Sequence, residues 1–240
     1  MAVDASSTML AISVYPSRVT CSLIGHTSKR PATLPYILHA HSVYECMQSE
    51  MHNVHIFNPT RIVNFLKECI GSWGATAVSG SIVLSGPAVY ETIIHSMDQA
   101  PSVSDANFPT GVHWQWNYRN VCTFAPDKHL VYVAGMPRPI IMQYHLLMRS
   151  AGISLARIST QQMSLLFLYK HLYGAIFRPI QLAEKLAQYN NQVEKLFNPD
   201  VLGRIIEISS DIELDRIVQF FPLLNACASL ASERYVDEQH

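Results

Sequence analysis

Histidine is the residue type that first suggests chemistry in this sequence, since eleven are present. His39 and His41 are two positions apart, so on a strand both side chains lie on one face. His52 and His55 follow in a short segment with two glutamates upstream. A zinc site needs three or four such ligands at workable spacing, and neither H-E-x-x-H nor C-x-x-C occurs. We therefore expect surface or edge histidines and no metal site.

A second candidate for chemistry is the stretch "GSIVLSGPAVYETII", residues 80–94, in which an apolar run meets Ser85-Gly86-Pro87. A phosphate-binding P-loop needs further glycines, a lysine and a following Ser or Thr, which this stretch lacks. A nucleophile elbow needs G-x-S-x-G, and the order here is S-G-P. We interpret the stretch as a structural corner, a strand followed by a helix from Pro87 to about Met97.

Composition narrows the class of protein. The chain has 240 residues, 49% hydrophobic and only 15% charged, with a net charge of -1. This favours a folded protein with a proper core, and it argues against a nucleic-acid binder, which would carry a basic patch. The five cysteines are dispersed, as in proteins with reduced thiols. Neither a signal peptide nor a membrane-spanning run is recognisable, so we expect a soluble cytoplasmic protein that can work beside a membrane.

The predicted elements alternate between strands and helices for about 160 residues. Residues 9–15 and 18–24 read as a hairpin, 36–47 as a third strand, and Asn58-Pro59 as the start of a helix. After the strand at 80–85 come strands at 112–124, 129–135 and 154–158, with a helix at 138–150 between the last two. From Gln161 onward the pattern predicts helices: 161–173, 180–197, 199–208, 212–220 and 222–235.

Two blocks of this chain resemble a known family. They are "NPTRIVNFLKECIGSWGATAVSGSIVLSGP" (58–87) and "HLVYVAGMPRPIIMQYHLLMRSAGISLARISTQQMSLLFLY" (129–169). Their order of capped helix, strand, strand, helix, strand and helix resembles the PilM family. These are actin-like, FtsA-related cytoplasmic proteins of type IV pilus assembly, grouped with pseudo-PilM proteins and the cytoplasmic domain of GspL-like type II secretion proteins.

The resemblance implies an α/β fold. Residues 1–87 and 158–175 would form the first actin-like lobe, 88–157 an inserted α/β subdomain, and 176–240 a helical remnant of the second lobe. Nucleotide-binding members carry Asp-x-Gly-Ser on the first strand, where this chain has Ser13 and Tyr15 at the Asp and Gly positions. Ser159 stands where a later strand would lead to another Asp. These departures predict no cofactor and no catalytic residue.

The function implied is a non-catalytic scaffold at the cytoplasmic face of a bacterial inner membrane. In the family, the cleft between the first lobe and the inserted subdomain holds the N-terminal cytoplasmic peptide of the membrane protein PilN. The predicted partner-binding residues are Tyr90, Ile94, Trp116, Ile141 and Tyr144, with core packing as the competing role. Two alternatives stay open, a divergent actin-like ATPase and a helical oligomerisation module.

The inserted subdomain allows a sharper prediction. Strands 112–124 and 129–135 should be antiparallel neighbours, and the apolar stripe of helix 138–150 should cover one face of their sheet. Trp114, Trp116 and Tyr118 alternate, so they share one strand face. We expect Trp116 to be buried and Tyr118 to be partly exposed.

Overall fold

The computed structural model describes residues 8–26, 36–75, 79–98, 101–102, 104–105, 107–164 and 206–208. The side chains of residues 26, 121, 122, 124 and 206–208 are not described. Within these ranges the chain forms, in order, the following elements: β1 Thr8–Tyr15, β2 Arg18–His26, β3 Tyr36–Glu45, β4 Met51–His52, β5 His55–Ile56, α1 Thr60–Ser72, β6 Ser79–Leu84, β7 Tyr90–Ser96, β8 Trp114–Ala125, β9 Lys128–Pro137, α2 Arg138–Ala151, β10 Ser154–Thr160 and β11 Ile206–Ile208.

A six-stranded mixed sheet is the centre of the molecule, with the strand order β10-β6-β1-β2-β3-β11. The predicted hairpin is confirmed, since β1 and β2 are antiparallel neighbours around the Pro16-Ser17 turn. β3 pairs antiparallel with β2, whereas β6 runs parallel to β1 and β10 parallel to β6. Because β1, β6 and β10 run in one direction, their carboxyl ends meet at the same edge of the sheet.

Both helices pack on one face of this sheet. Alternation in β1 turns Leu10, Ile12 and Val14 towards them, and all three are fully buried. α1 starts where the Asn58–Pro59 signal predicts it, with the Thr60 N–H donating to Asn58 Oδ1 at 3.2 Å. The helices contribute these buried side chains to the core: Ile62, Val63, Phe65, Leu66 and Cys69 from α1, and Ile140, Ile141, Tyr144, Leu147, Met148 and Ala151 from α2.

The predicted helix from Pro87 to Met97 is wrong, because this segment is the strand β7. Tyr90, Thr92 and Ile94 alternate with Glu91 and Ile93, a pattern that fits a strand as well as a helix over so few residues. Its β-branched and aromatic residues favour a strand, and β9 supplies the neighbour, pairing antiparallel with β7 along its whole length. The corner at residues 85–89 therefore leads from one strand to another.

β7, β9 and β8 form a second, three-stranded sheet with β9 in the middle. The predicted antiparallel pairing of the segments 112–124 and 129–135 is confirmed by β8 and β9. This sheet does not continue into the sheet that contains β1 and β2. The division of the chain into a core lobe, an insertion at 88–157 and a remnant at 176–240 stays a prediction.

The predicted packing of the second helix on this small sheet is wrong. α2 ends as expected at Gly152, whose φ of 77° suits a glycine, but its apolar stripe joins α1 and the six-stranded sheet in one core. The small sheet has a separate hydrophobic cluster around Val131 and Val133, which does not belong to the main core. An amphipathic stripe specifies that a face must be buried, and it does not specify against which sheet.

The C-terminal third is described only in part. Residues 161–164 are helical, and Ile206–Ile208 form β11, parallel to β3. The predicted helix at 199–208 is therefore wrong at its end, where alternating isoleucines extend the sheet instead. The other helices predicted after Gln161, and the remnant 176–240 apart from β11, lie outside the described residues. None of the helices in the described ranges is both long and apolar enough to span a bilayer.

Candidate functional site

A groove of about 290 Å³ lies between the edge strands of the two sheets. Its walls are β8 of the small sheet and β10 of the main sheet, and α2 contributes from one side. The described residues that line it are Gln115, Trp116, Asn117, Arg119, Ala134, Met136, Ile141, His145, Leu155, Ala156, Arg157, Ile158, Ser159, Thr160 and Met163.

β10 exposes its backbone edge to this groove. Six consecutive residues, Leu155 to Thr160, line it, whereas a strand that showed only one face would contribute every second residue. Among the strands that the structure describes, only β6 pairs with β10. The pairing of β10 with β6 shifts between Leu155 and Arg157, so that Ala156 is an extra residue and is exposed. Within the described residues, the outer edge of β10 therefore has no neighbouring strand.

The lining combines apolar and basic groups. Trp116, Ile141 and Leu155 supply apolar surface, and Arg119 and Arg157 supply two guanidinium groups. No aspartate or glutamate occurs among the described lining residues. The groove therefore combines apolar surface with two basic residues.

Buried and part-buried hydrogen bonds connect the small sheet to the end of β10. The Glu91 carboxyl accepts from the Tyr132 hydroxyl and from the Gln162 backbone N–H, the latter at 3.2 Å. The Tyr132 and Thr160 hydroxyl oxygens are 3.5 Å apart. Burial raises the pKa of the Glu91 carboxyl above its ordinary value, and these hydrogen bonds oppose the shift only in part. The contacts fix one end of the groove, because Glu91 and Tyr132 belong to β7 and β9.

Of the predicted partner-binding residues, the structure brings Trp116 and Ile141 together at the groove. Ile141 is mostly buried, so only its outer part reaches the lining. Tyr144 is fully buried, and its hydroxyl donates to the Val54 carbonyl at 2.8 Å, which makes it a core residue. Tyr90 and Ile94 lie in β7, away from the groove.

Sequence reasoning missed the two arginines and the role of the β10 edge. A strand was predicted at 154–158, and Arg157 within it was the signal that this strand has a solvent-accessible edge. Arg119 lies three residues after Trp116 on the other wall. Nothing local indicates that these two positions, 38 residues apart, line one groove.

The expectation that Trp116 is buried is wrong, since it is half-buried like Tyr118. Trp116 and Tyr90 are both paired with Gly135 of β9, one from each side. The Phe108 ring occupies the space above Gly135, so closely that a Cβ added there would overlap it. Phe108 contacts both Tyr90 and Trp116, with ring centroids 4.9 and 5.9 Å apart. Phe108 therefore covers part of the sheet face that carries Tyr90 and Trp116, and it leaves Trp116 half-buried.

The carboxyl ends of β1 and β6 are filled by side chains. Ser13 is buried, and Tyr15 leads into the Pro16 turn. A Cβ added to Gly86 would lie 3.2 Å from the Pro16 ring and 3.7 Å from the Val54 side chain. In the part of the chain that the structure describes, no group of three or more His, Cys, Asp or Glu side chains could hold a metal ion.

The fold is similar to that of a chain in a solved complex described as the PilM-PilN type IV pilus biogenesis complex. The TM-score is 0.51 at 12% sequence identity, over 68% of this chain and 50% of that one. This chain therefore matches half the length of its structural neighbour. The likeness agrees, at the level of the fold, with the PilM resemblance of the sequence.

Two further solved structures are weaker neighbours. Thermus thermophilus RuvC matches with a TM-score of 0.45 and 8% identity, over 97% of this chain and 96% of that one. A Bacteroides thetaiotaomicron protein with an actin-like ATPase fold and unknown function matches with 0.40 and 10%, over 72% and 60%. Both likenesses are too weak to define the fold. No protein-family model matches the sequence, and no curated protein matches it.

Proposed function

We propose that this protein is a non-catalytic scaffold of a type IV pilus or type II secretion type machine. It binds the N-terminal cytoplasmic peptide of a PilN-like membrane protein, and it works in the cytoplasm beside the inner membrane. The observation that carries the proposal is the groove between β8 and β10, bounded by two edge strands of different sheets. The fold-level likeness to a chain of a PilM-PilN complex supports the choice of partner class.

The groove favours an extended peptide. A chain that adds to the outer edge of β10 gains main-chain hydrogen bonds, and its alternate side chains enter the space beside Trp116 and Leu155. A helix would leave the backbone groups of β10 without partners. We therefore expect the partner segment to bind as a strand.

The absence of catalysis is supported by the carboxyl end of the main sheet. An actin-like nucleotide site needs an aspartate and a glycine at the end of β1, and Ser13 and Tyr15 stand there. A tyrosine side chain keeps the backbone from approaching a phosphate as glycine can. Pro16 and Val54 occupy the space beside Gly86, at 3.2 and 3.7 Å from the position of an added Cβ. We propose an actin-like lobe that has lost nucleotide binding.

The test is peptide binding with the full chain. A fluorescent synthetic peptide with the sequence of a PilN-type N-terminal tail should bind with micromolar affinity, measured by anisotropy. Trp116→Ala should weaken binding about tenfold, because Trp116 is one of the residues that line the groove. Trp114→Ala is the matched control, since Trp114 is in the same strand but does not line the groove, its indole N–H donating to the Pro109 carbonyl at 2.9 Å.

Strand addition has its own control. Two peptides, methylated on the two alternate sets of backbone nitrogens, keep the same side chains, and only one set can face β10 in a strand. We expect one of the two peptides to lose binding, and equal binding of both at the affinity of the unmodified tail would exclude strand addition. Absence of binding by the unmodified tail at high micromolar concentration would overturn the proposed function.

A further inference from the structure

We infer that Cys21 and Cys69 are a redox-active pair of thiols, in which a hydroperoxide oxidises Cys69 and Cys21 then closes a disulfide between β2 and α1. Neither cysteine lines the groove, so the pair is a separate modification site. The inference does not depend on the proposed partner. It rests on how β2, β3 and α1 bring the two sulfur atoms together.

Strand register and helix packing place both thiols at one point of the core. Cys21 of β2 is paired with Ser42 of β3, so their side chains are neighbours on one face of the main sheet. Val19, Cys21 and Leu23 alternate along β2, and all three belong to the core cluster that contains the buried side chains of α1. Cys69, in the last turn of α1, belongs to the same cluster. Cys21 is fully buried, and Cys69 is 4% exposed.

The Cys69 sulfur contacts both members of this cross-strand pair. Its side chain is hydrogen-bonded to the Cys21 thiol and to the Ser42 hydroxyl. Both cysteines are free thiols. Two sulfur atoms within hydrogen-bond distance need only a short approach to reach the disulfide bond length of about 2.05 Å. A disulfide between them joins elements that already pack together.

The two thiols differ in reactivity, because their hydrogen bond favours the ionisation of one of them. The Cys21 thiol donates to the Cys69 sulfur and holds the pKa of Cys69 below its ordinary value, with help from the Ser42 hydroxyl and against the effects of burial and the Glu68 charge. The same hydrogen bond, together with burial, raises the pKa of Cys21 well above its ordinary value. Since the thiolate is the nucleophile, Cys69 is the thiol that reacts with the oxidant.

Cys46 provides a contrast within the same chain. It is half-buried and so more accessible than Cys69. However, burial and the charges of Glu50 and Glu45 raise the pKa of Cys46 to about 12, so it stays protonated at neutral pH. Cys69 lies in the last turn of α1, and the fraying of helix ends gives a small oxidant access to it. Accessibility alone predicts that Cys46 is oxidised first, whereas the hydrogen-bonded pair predicts Cys69.

The reaction balances with hydrogen peroxide as the oxidant. The Cys69 thiolate attacks one peroxide oxygen, the O–O bond breaks, and hydroxide leaves and takes up the proton that Cys69 released, which yields a sulfenic acid and water. The Cys21 sulfur then attacks the Cys69 sulfur, the S–O bond breaks, and the hydroxyl leaves as water with the proton of the Cys21 thiol. Both sulfur atoms are oxidised to the disulfide, and both peroxide oxygens are reduced to water.

The disulfide should stabilise the fold. Cys21 and Cys69 are 48 positions apart, and a covalent link across so long a loop restricts the unfolded chain more than the folded one. The oxidised protein should therefore unfold at a urea concentration about 1 M higher than the reduced protein. Dithiothreitol should reverse this shift.

The experiment treats the folded full chain with hydrogen peroxide, blocks the remaining thiols, and maps linked peptides by mass spectrometry without reduction. We expect a peptide pair that joins Cys21 to Cys69, with Cys46 still a free thiol. Cys46→Ser is the matched control and should leave this link unchanged. A link that forms only in urea, or a treated chain in which Cys21 stays a free thiol, would overturn the inference.

Two variants separate the roles of the thiols. In Cys21→Ser the hydroxyl can still donate to Cys69 but cannot form the disulfide, so dimedone should label a sulfenic acid at Cys69. In Cys69→Ser, dimedone should not label Cys21. Labelling of Cys21 but not of Cys69 would contradict the assignment of the nucleophile. The map of the wild-type chain needs neither variant, so it tests the link even where a variant fails to fold.

Discussion

The Tyr144 hydroxyl donates a hydrogen bond to the Val54 carbonyl at 2.8 Å, and this bond joins α2 to the β4–β5 hairpin. Val54 has a φ of 62°, a left-handed conformation that is costly for a β-branched residue. It is nevertheless fully buried, beside Gly86. The tertiary contact holds the turn in a conformation that its own sequence disfavours.

Loss of this hydroxyl should therefore destabilise the protein. For Tyr144→Phe we expect the free energy of unfolding to fall by about 1–2 kcal/mol, because the buried carbonyl loses its donor. Urea denaturation measures the change. Peptide binding at the groove should stay within twofold of wild type, and a selective loss of binding at unchanged stability would instead assign Tyr144 to the partner site.

Gly135 should tolerate no side chain. Gly135→Ala places a Cβ against the Phe108 ring, so we expect a loss of about 1–3 kcal/mol from overpacking. Gly71→Ala is the matched control in the last turns of α1, where nothing lies within 4 Å of the added Cβ. Because alanine is the better helix former, that variant should gain about 0.5–1 kcal/mol. Thermal unfolding of the two variants should shift in opposite directions, and a stabilised Gly135→Ala would contradict the Phe108 packing.

Two buried hydroxyl groups, two positions apart in β2, should respond differently to removal. Thr20 is fully buried, and its Oγ1 has no hydrogen-bond partner among the described residues. Ser22 is equally buried, but its Oγ lies 2.7 Å from His41 Nδ1. Thr20→Val should raise the free energy of unfolding by about 1 kcal/mol, whereas Ser22→Ala should lower it by a similar amount. Chemical denaturation tests this, and a destabilised Thr20→Val would indicate a partner for that hydroxyl.

Glu91 should make stability depend on pH. Its pKa is raised in the folded protein, chiefly by burial, so the folded state binds the proton more tightly than the unfolded state does. This contribution to stability is fully present below the unfolded pKa and is lost as the pH rises through the folded value. Relative to Glu91→Gln, which cannot titrate, the wild-type protein should gain stability between pH 7 and pH 5. Urea midpoints at the two pH values measure this, and a difference that stays constant would show that the carboxyl is not desolvated.

Nucleotide binding should be absent. A ligand that binds only the folded state raises the unfolding temperature. With millimolar ATP and magnesium we expect no shift in thermal unfolding, because the PilM resemblance places Ser13 and Tyr15 where nucleotide-binding members have Asp and Gly. A shift of several degrees would favour the divergent ATPase instead.

The sequence by itself determined those strands and helices whose residue pattern fits only one type of secondary structure. β1 and β2 are apolar runs around a Pro-Ser turn, and α1 begins at Asn58-Pro59, so both were predictable from short-range chemistry. The alternation of Trp114, Trp116 and Tyr118 likewise predicted β8 and the face these residues share. In each case the backbone preference and the spacing of apolar residues indicate the same structure.

Only the tertiary structure decided where ambiguous segments belong. Residues 90–96 fit either a helix or a strand, and pairing with β9 made them β7. The stripe of α2 could cover either sheet, and it lies in the main core, where Tyr144 is fully buried. The groove depends on bringing residues of β8 and β10, among them Arg119 and Arg157, to one site across an intervening strand and helix. Such contacts join segments that are distant in sequence, and they form because together they bury the apolar side chains of the whole chain. A short stretch of sequence does not specify them.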